Sequence, residues 1–591
     1  MVINNKLLAF LKAVVVSSTI TYFMNLDAIY GIVFVILLCG CTSLFFYSSK
    51  KKFEKYNSYV LSVACSICVI IGLAFSLSNN FHYLINHSFI SFFIFISTLL
   101  SLNAIAKVSL YYLHRVDMFN DVPISRYTKF ILIILVGWII YLIPFFPGNV
   151  AGDGNTQLDM YFKVSNYPLT NHHPVISTLF EGGIVNLGRH LGFSDNIALF
   201  IYIVFSVLIC ACIYAYCINK FSERGLNRKI SYSIALIVGF LPYWSLVSEA
   251  LHKDGLFIAF FAWFYIELIF IYIDQSENAD IKISQFIKLI LAAMLVSFWR
   301  NNGFIDIIIP LMVMSGIIFK KQGKKLILLT ALVAVVYIGF QKVVLPIAGV
   351  QPSEKREMLS IPTQQTARYI KYYPNDLSSE EKRILKNTFV DYEDLGHNYV
   401  PVWSDPVKGA MKSNANASEY FKVWLSMGLK HPIVYVESFL NGTYLYYSPQ
   451  FKGTSFTWVT SYGIANYDKK YNLNFHQVIS QSFRTKVNKA INLFGDVPFI
   501  SALMNDAIYF WVSIFVLGSF IKKHRYTVIV CYLPILLNFL VCLASPVNGS
   551  NRYSGCIIFP VILLVLMANY LLSVRSKEKK TNKEWTGELH G

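Results

Sequence analysis

Three short polar connections each carry one cation between apolar segments: His252-Lys253-Asp254, Arg300-Asn301-Asn302 and Asn551-Arg552-Tyr553. A guanidinium offers phosphate or carboxylate a two-pronged fork, and an ammonium offers a point charge. At the edge of an apolar segment such a group needs either a counter-ion or an anionic ligand. Three on one face point to a site for phosphate or diphosphate on a lipid carrier. The blander alternative is local. Each cation then pairs with a nearby acid, as Lys253 would with Asp254 or Glu249, or reaches out to lipid headgroups.

A fourth connection supplies a carboxylate, in Pro147-Gly148-Asn149-Val150-Ala151-Gly152-Asp153-Gly154-Asn155-Thr156-Gln157. Glycines on both sides of Asp153 permit a tight turn and close approach by a ligand. A carboxylate there could take a proton from a hydroxyl or hold a metal. Its structural alternative, shared with Asn155, is to cap a helix starting near Thr156. Farther on, Asn171-His172-His173-Pro174 puts two imidazoles at a helix start, able to contact a sugar or a phosphate. Adjacent histidines rarely ligate one ion and no third His stands at metal spacing, so no metal ligands are assigned.

The elements that must position these groups are membrane helices. Of 591 residues 55% are apolar and 14% charged, well under the quarter typical of soluble domains. Several stretches run ~18 or more residues without a charge. The net charge of +18 does not form one dense patch, which argues against nucleic acid. Instead the basic residues punctuate alternate loops: Lys50-Lys51-Lys52, Arg115 with Arg126, Arg224 with Arg228 and Lys229, Lys320-Lys321, and Lys522-Lys523. That alternation predicts a cell-membrane protein of about fourteen transmembrane helices with both termini cytoplasmic. The ten cysteines lie in or beside apolar segments, and Cys65-x-x-Cys68 reads as packing rather than zinc ligation.

The expected fold class is therefore an all-α polytopic membrane protein. Four helices fill 1–128, and a membrane core spans 129–346 with a first outer loop at 147–196. An extracytoplasmic, mainly helical domain covers 347–496, where Ser378-Ser379-Glu380-Glu381 is a capping signature. C-terminal membrane helices occupy 497–574, and 575–591 is a basic cytoplasmic tail. The span around Met294 is cut short by Trp299-Arg300-Asn301-Asn302-Gly303 and could pair with the next as a re-entrant hairpin.

Together these motifs resemble the GT-C superfamily of integral-membrane glycosyltransferases, nearest a Gram-positive bacterial branch related to protein O-mannosyltransferase-like enzymes. The resemblance rests on Gly152-Asp153-Gly154, Gln157, His172-His173-Pro174, His252-Lys253-Asp254, Arg300-Asn301-Asn302-Gly303, Ser360 to Arg368, and Arg552-Tyr553 before Pro560. It covers roughly Lys129 to Val574. It implies a GT-C-like core and a polyprenyl-phosphate-linked sugar as donor, transferred with inversion to a cell-envelope acceptor outside the cell. Asp153 would be the catalytic base. Lys253, Arg300 and Arg552 would bind the donor phosphate, with Asp254, Asn301, Tyr553 and Gln157 beside them, and His172 and His173 would line the sugar pocket. Where many GT-C enzymes carry paired acids, Asp153 is followed by Gly154 and Asn155, so no cofactor is assigned and a divalent cation stays open. Rival readings are a transporter or flippase of a lipid-linked or anionic substrate, and a polysaccharide polymerase. A transporter places ionisable groups near the bilayer midplane, where Glu267 is the main candidate.

Overall fold

The computed structural model describes residues 5–24, 30–150, 152–317, 323–449 and 475–573, and these are overwhelmingly helical. The basic tail 575–591, the Lys320-Lys321 pair and residues 450–474 of the expected outer domain lie outside the described residues. Seven described helices are long and apolar enough to cross a membrane. An eighth follows if Arg228–Phe240 and Pro242–Ser248, bent by 56°, form one span. The chain is an all-α membrane protein.

This count does not reach the expected fourteen. Five further apolar helices are shorter, at 10–17 residues, among them Tyr127–Leu142, Ile283–Trp299 and Asp506–Ile521. At 1.5 Å per residue even the longest of these reaches only about 25 Å, less than a ~30 Å hydrocarbon layer. An apolar run read along the sequence is thus not the same length as the helix it forms. Two such helices, Ile283–Trp299 and Gly303–Ile317, meet at the Arg300-Asn301-Asn302 turn, where the sequence placed a break. The 56° bend was not anticipated. It falls at Pro242, which has no amide hydrogen to continue the preceding helix.

The helix Lys253–Ser276 runs through the centre and is apolar on every face. Such a helix belongs inside the protein, and 94% of its apolar window is buried. Glu267 on this helix is satisfied by Lys220 at 3.0 Å and by the Tyr216 hydroxyl at 2.5 Å.

A separate core forms outside this bundle from Tyr369, Leu385, Phe389, Tyr420, Met427 and their neighbours. Its helices include Ser379–Thr388, which starts with the expected capping box: Glu381 N–H donates to Ser378 Oγ at 3.2 Å and Ser378 N–H to Glu381 Oε2 at 2.8 Å. Buried Arg368 clamps this unit down, donating to Glu437 at 2.6 Å and to the Asn79 carbonyl at 3.0 Å.

Candidate functional site

A two-residue parallel ladder brings the distant loops together. Strands β1 (Asn149–Val150) and β2 (Ala250–Leu251) pair in register, Asn149 with Ala250 and Val150 with Leu251. Both strands lead at once into helices, Gly152–Phe162 and Lys253–Ser276. The side chains in those first helical turns are therefore set against each other. Gly154 is needed for this approach, since a Cβ there would lie 1.9 Å from the Leu251 carbonyl oxygen. Gly152 is different: a Cβ there meets nothing within 4 Å.

Asp153 lies within its helix's first turn and does not cap a helix starting near Thr156. Its Oδ2 accepts from Lys253 Nζ at 2.5 Å and from the Arg552 guanidinium. Arg552 Nε also donates to Asp254 Oδ2 at 2.6 Å, and Arg300 Nη1 stands 3.5 Å from Asp254 Oδ1. His173 completes the group, with Nδ1 at 3.0 Å from Lys253 Nζ. The Tyr553 ring lies beneath both guanidinium groups, 4.8 Å from Arg300 and 5.4 Å from Arg552. Three cations thus face two carboxylates, leaving one net positive charge. Each cation has an acid partner, as the local reading required. But Lys253 finds Asp153 across a hundred residues of chain, not Asp254 or Glu249; Glu249 accepts from Ser245 instead.

Arg552 owes its place to the outer unit. The loop before it is held through Ser404 N–H to the Pro546 carbonyl at 2.8 Å and Asn548 N–H to the Val402 carbonyl at 3.0 Å. Asn548 Nδ2 also donates to the Asn441 carbonyl, and the Tyr446 hydroxyl to the Val547 carbonyl.

The remaining sequence candidates divide. Gln157, one helical turn from Asp153, is fully buried and donates to Ser177 and Thr178 on the helix Val175–His190. Asn301 donates to the Asn171 carbonyl at 2.8 Å and so anchors the loop that carries the histidines. His172 sits at the edge of the group: its ring packs edge-on against His173 with centres 4.5 Å apart, but it is 42% exposed and stands 4.0 Å from Glu357, which is itself paired with Lys408. One residue at the site escaped sequence reasoning. Glu181 is wholly buried, and among the described residues neither of its carboxyl oxygens has a hydrogen-bond partner. Nothing in Phe180-Glu181-Gly182-Gly183 distinguishes it from a surface acid on an amphipathic helix.

Electrostatics assigns protonation states. Burial opposes ionisation of Asp153, but the charges of Lys253 and Arg552 outweigh it and hold the carboxyl well below the usual range. Burial and then Lys253 push the His173 imidazole down to about 2, so it is neutral and accepts from Lys253. Burial drives Glu181 well above the usual carboxylate range; Lys253 opposes this, Asp254 and Asp153 add to it, and the net result is a neutral acid able to donate. A divalent cation fits this arrangement poorly. Both carboxylates already face cations, and no three His, Cys, Asp or Glu side chains converge as a ligand set among the described residues. An anion fits.

A family model described as "Family of unknown function (DUF6020)" matches residues 163–585. The chain belongs to that family. The matched span holds His172, His173, Lys253, Asp254, Arg300, Asn301, Arg552 and Tyr553, while Asp153 and Gln157 precede it. No curated protein and no solved structure matches the chain.

Proposed function

We propose that the chain is a membrane glycosyltransferase of GT-C type, moving a sugar from a polyprenyl-phosphate-linked donor to an extracytoplasmic acceptor. The observation that carries this reading is the convergence of Lys253, Arg300 and Arg552 on Asp153 and Asp254. One net positive charge, forked donors and a carboxylate in one place suit a phosphate leaving group beside a proton acceptor. On this reading both termini lie in the cytoplasm and the cluster lies at the outer surface of the cell membrane.

The chemistry follows from exchange of partners. Paired with two cations, Asp153 is a weak base. A donor phosphate takes over Lys253 and Arg552, and the Asp153 carboxylate regains basicity as its counter-ions leave. An acceptor hydroxyl then gives its proton to Asp153 while its oxygen bonds to the sugar C1. The bond from C1 to the phosphate oxygen breaks, with inversion. Charge that develops on the departing polyprenyl phosphate is stabilised by Arg300, Arg552 and Lys253. Neutral His173 keeps Lys253 aimed, and neutral Glu181 can donate to a hydroxyl of the bound sugar. Glu267 gives a transport reading no support, because Lys220 and Tyr216 satisfy it.

The test is the cell's surface carbohydrate. A strain lacking the gene is complemented with wild type, R300Q or R552Q, and surface monosaccharides are measured at matched membrane levels. Loss of one sugar in both variants is expected. An unchanged surface refutes the reading.

A further inference from the structure

A further inward-facing cation lies outside the cluster. Arg484, on the helix Gln481–Asp496, is 3% exposed. Its Nη2 donates to Asn149 Oδ1 at 2.8 Å, and its guanidinium lies 5.1 Å from the centre of the Phe145 ring. Among the described residues its Nη1 has no acceptor and no carboxylate pairs with it. Asn149 is fully buried, and its amide Nδ2 has no acceptor among the described residues either.

Two side chains already bonded to each other therefore each hold a buried, unused N–H group, and one of the two is charged. Lys253, Arg300 and Arg552 all meet acids; Arg484 meets none among the described residues. Burial accordingly pulls the Arg484 pKa down with nothing to restore it. A buried charge without a counter-ion is costly to keep, and a ligand that brings the opposite charge removes that cost. Only donors are on offer, so the ligand must be an anionic acceptor. The guanidinium fork suits phosphate oxygens.

We propose that Arg484 and the Asn149 amide form a second phosphate-binding subsite, joined to the Asp153 cluster through strand β1. This does not depend on the transfer reaction. Phosphate could come as a soluble group or as a phospholipid headgroup, and the two are separable by experiment.

The protein is purified in a maltoside detergent without phospholipid, and its melting temperature is followed against inorganic phosphate and, separately, against short-chain phosphatidic acid. R552Q serves as the background in which the other cluster is weakened. R484M and N149D are the decisive variants, since the first removes the lone charge and the second gives it a built-in counter-ion. Each should weaken phosphate binding about tenfold or more, and each should melt no lower than its parent without phosphate. Stabilisation by inorganic phosphate identifies a soluble source, and stabilisation by phosphatidic acid alone identifies a headgroup. A response that is equal in R484M, N149D and their parent overturns the proposal, as does a parent that responds to neither probe.

Discussion

Asp153→Asn separates the two roles that the cluster gives this carboxylate. In the unliganded site Asp153 competes with any phosphate for Lys253 and Arg552. The asparagine amide can keep a hydrogen bond but not the charge, and the difference between charge-assisted and neutral bonds is roughly 1 kcal/mol each. The Asp153 side chain is 27% exposed, so solvent screening trims that figure. Removing the competition should then strengthen phosphate binding by about 1–2 kcal/mol, or about 5- to 30-fold. Loss of the base should at the same time slow transfer by about 10²- to 10⁴-fold. Binding is read by thermal shift of purified protein with polyprenyl phosphate, and transfer by surface monosaccharide analysis at equal membrane level. Tighter binding with lost transfer is the signature of a base that doubles as a counter-ion. A variant that transfers normally, or binds phosphate more weakly than wild type, refutes the reasoning.

Other consequences follow from single contacts. Gly154→Ala should push its helix off the Leu251 carbonyl and lower transfer at least about tenfold, while Gly152→Ala, with open space around it, should stay active; comparing the two in the surface-sugar assay checks the ladder's role. His173 stays neutral when folded but takes a proton near pH 6.5 when unfolded, so it contributes stability above that pH and loses about 1.4 kcal/mol per unit as pH falls below it. His173→Gln should flatten the pH dependence of the melting temperature between pH 6.5 and 4.5 by that one-proton share, and an unchanged slope speaks against a buried neutral imidazole. Glu267→Gln strands Lys220 in the bundle and should cost about 3–5 kcal/mol, most of it regained in the double variant with Lys220→Met, without changing transfer per folded molecule.

The residue types alone determined that this is an all-α membrane chain, because long apolar runs with few charges have no other stable home. They also picked out Asp153, Lys253, Arg300 and Arg552, since cations and acids stranded beside apolar segments stand out without any coordinates. Local capping at Ser378 was legible for the same reason: its partners lie three residues apart. The pairings were not legible. Lys253 had an acid next door in Asp254, yet the β1–β2 ladder delivers Asp153 instead, and no one-dimensional pattern encodes a two-residue parallel contact between segments a hundred residues apart. The helix count also failed to follow from apolar runs, because segments such as Tyr127–Leu142 and Asp506–Ile521 form helices shorter than a hydrocarbon layer is thick. Nothing in the sequence sets Glu181 or Arg484 apart from ordinary charges on amphipathic helices, and only packing shows that one is buried as a neutral acid and that the other faces inward with no counter-ion among the described residues. Sequence carries the chemical groups and their local geometry; burial and long-range charge pairing exist only once the chain has folded, and those set the protonation state and charge balance of the site.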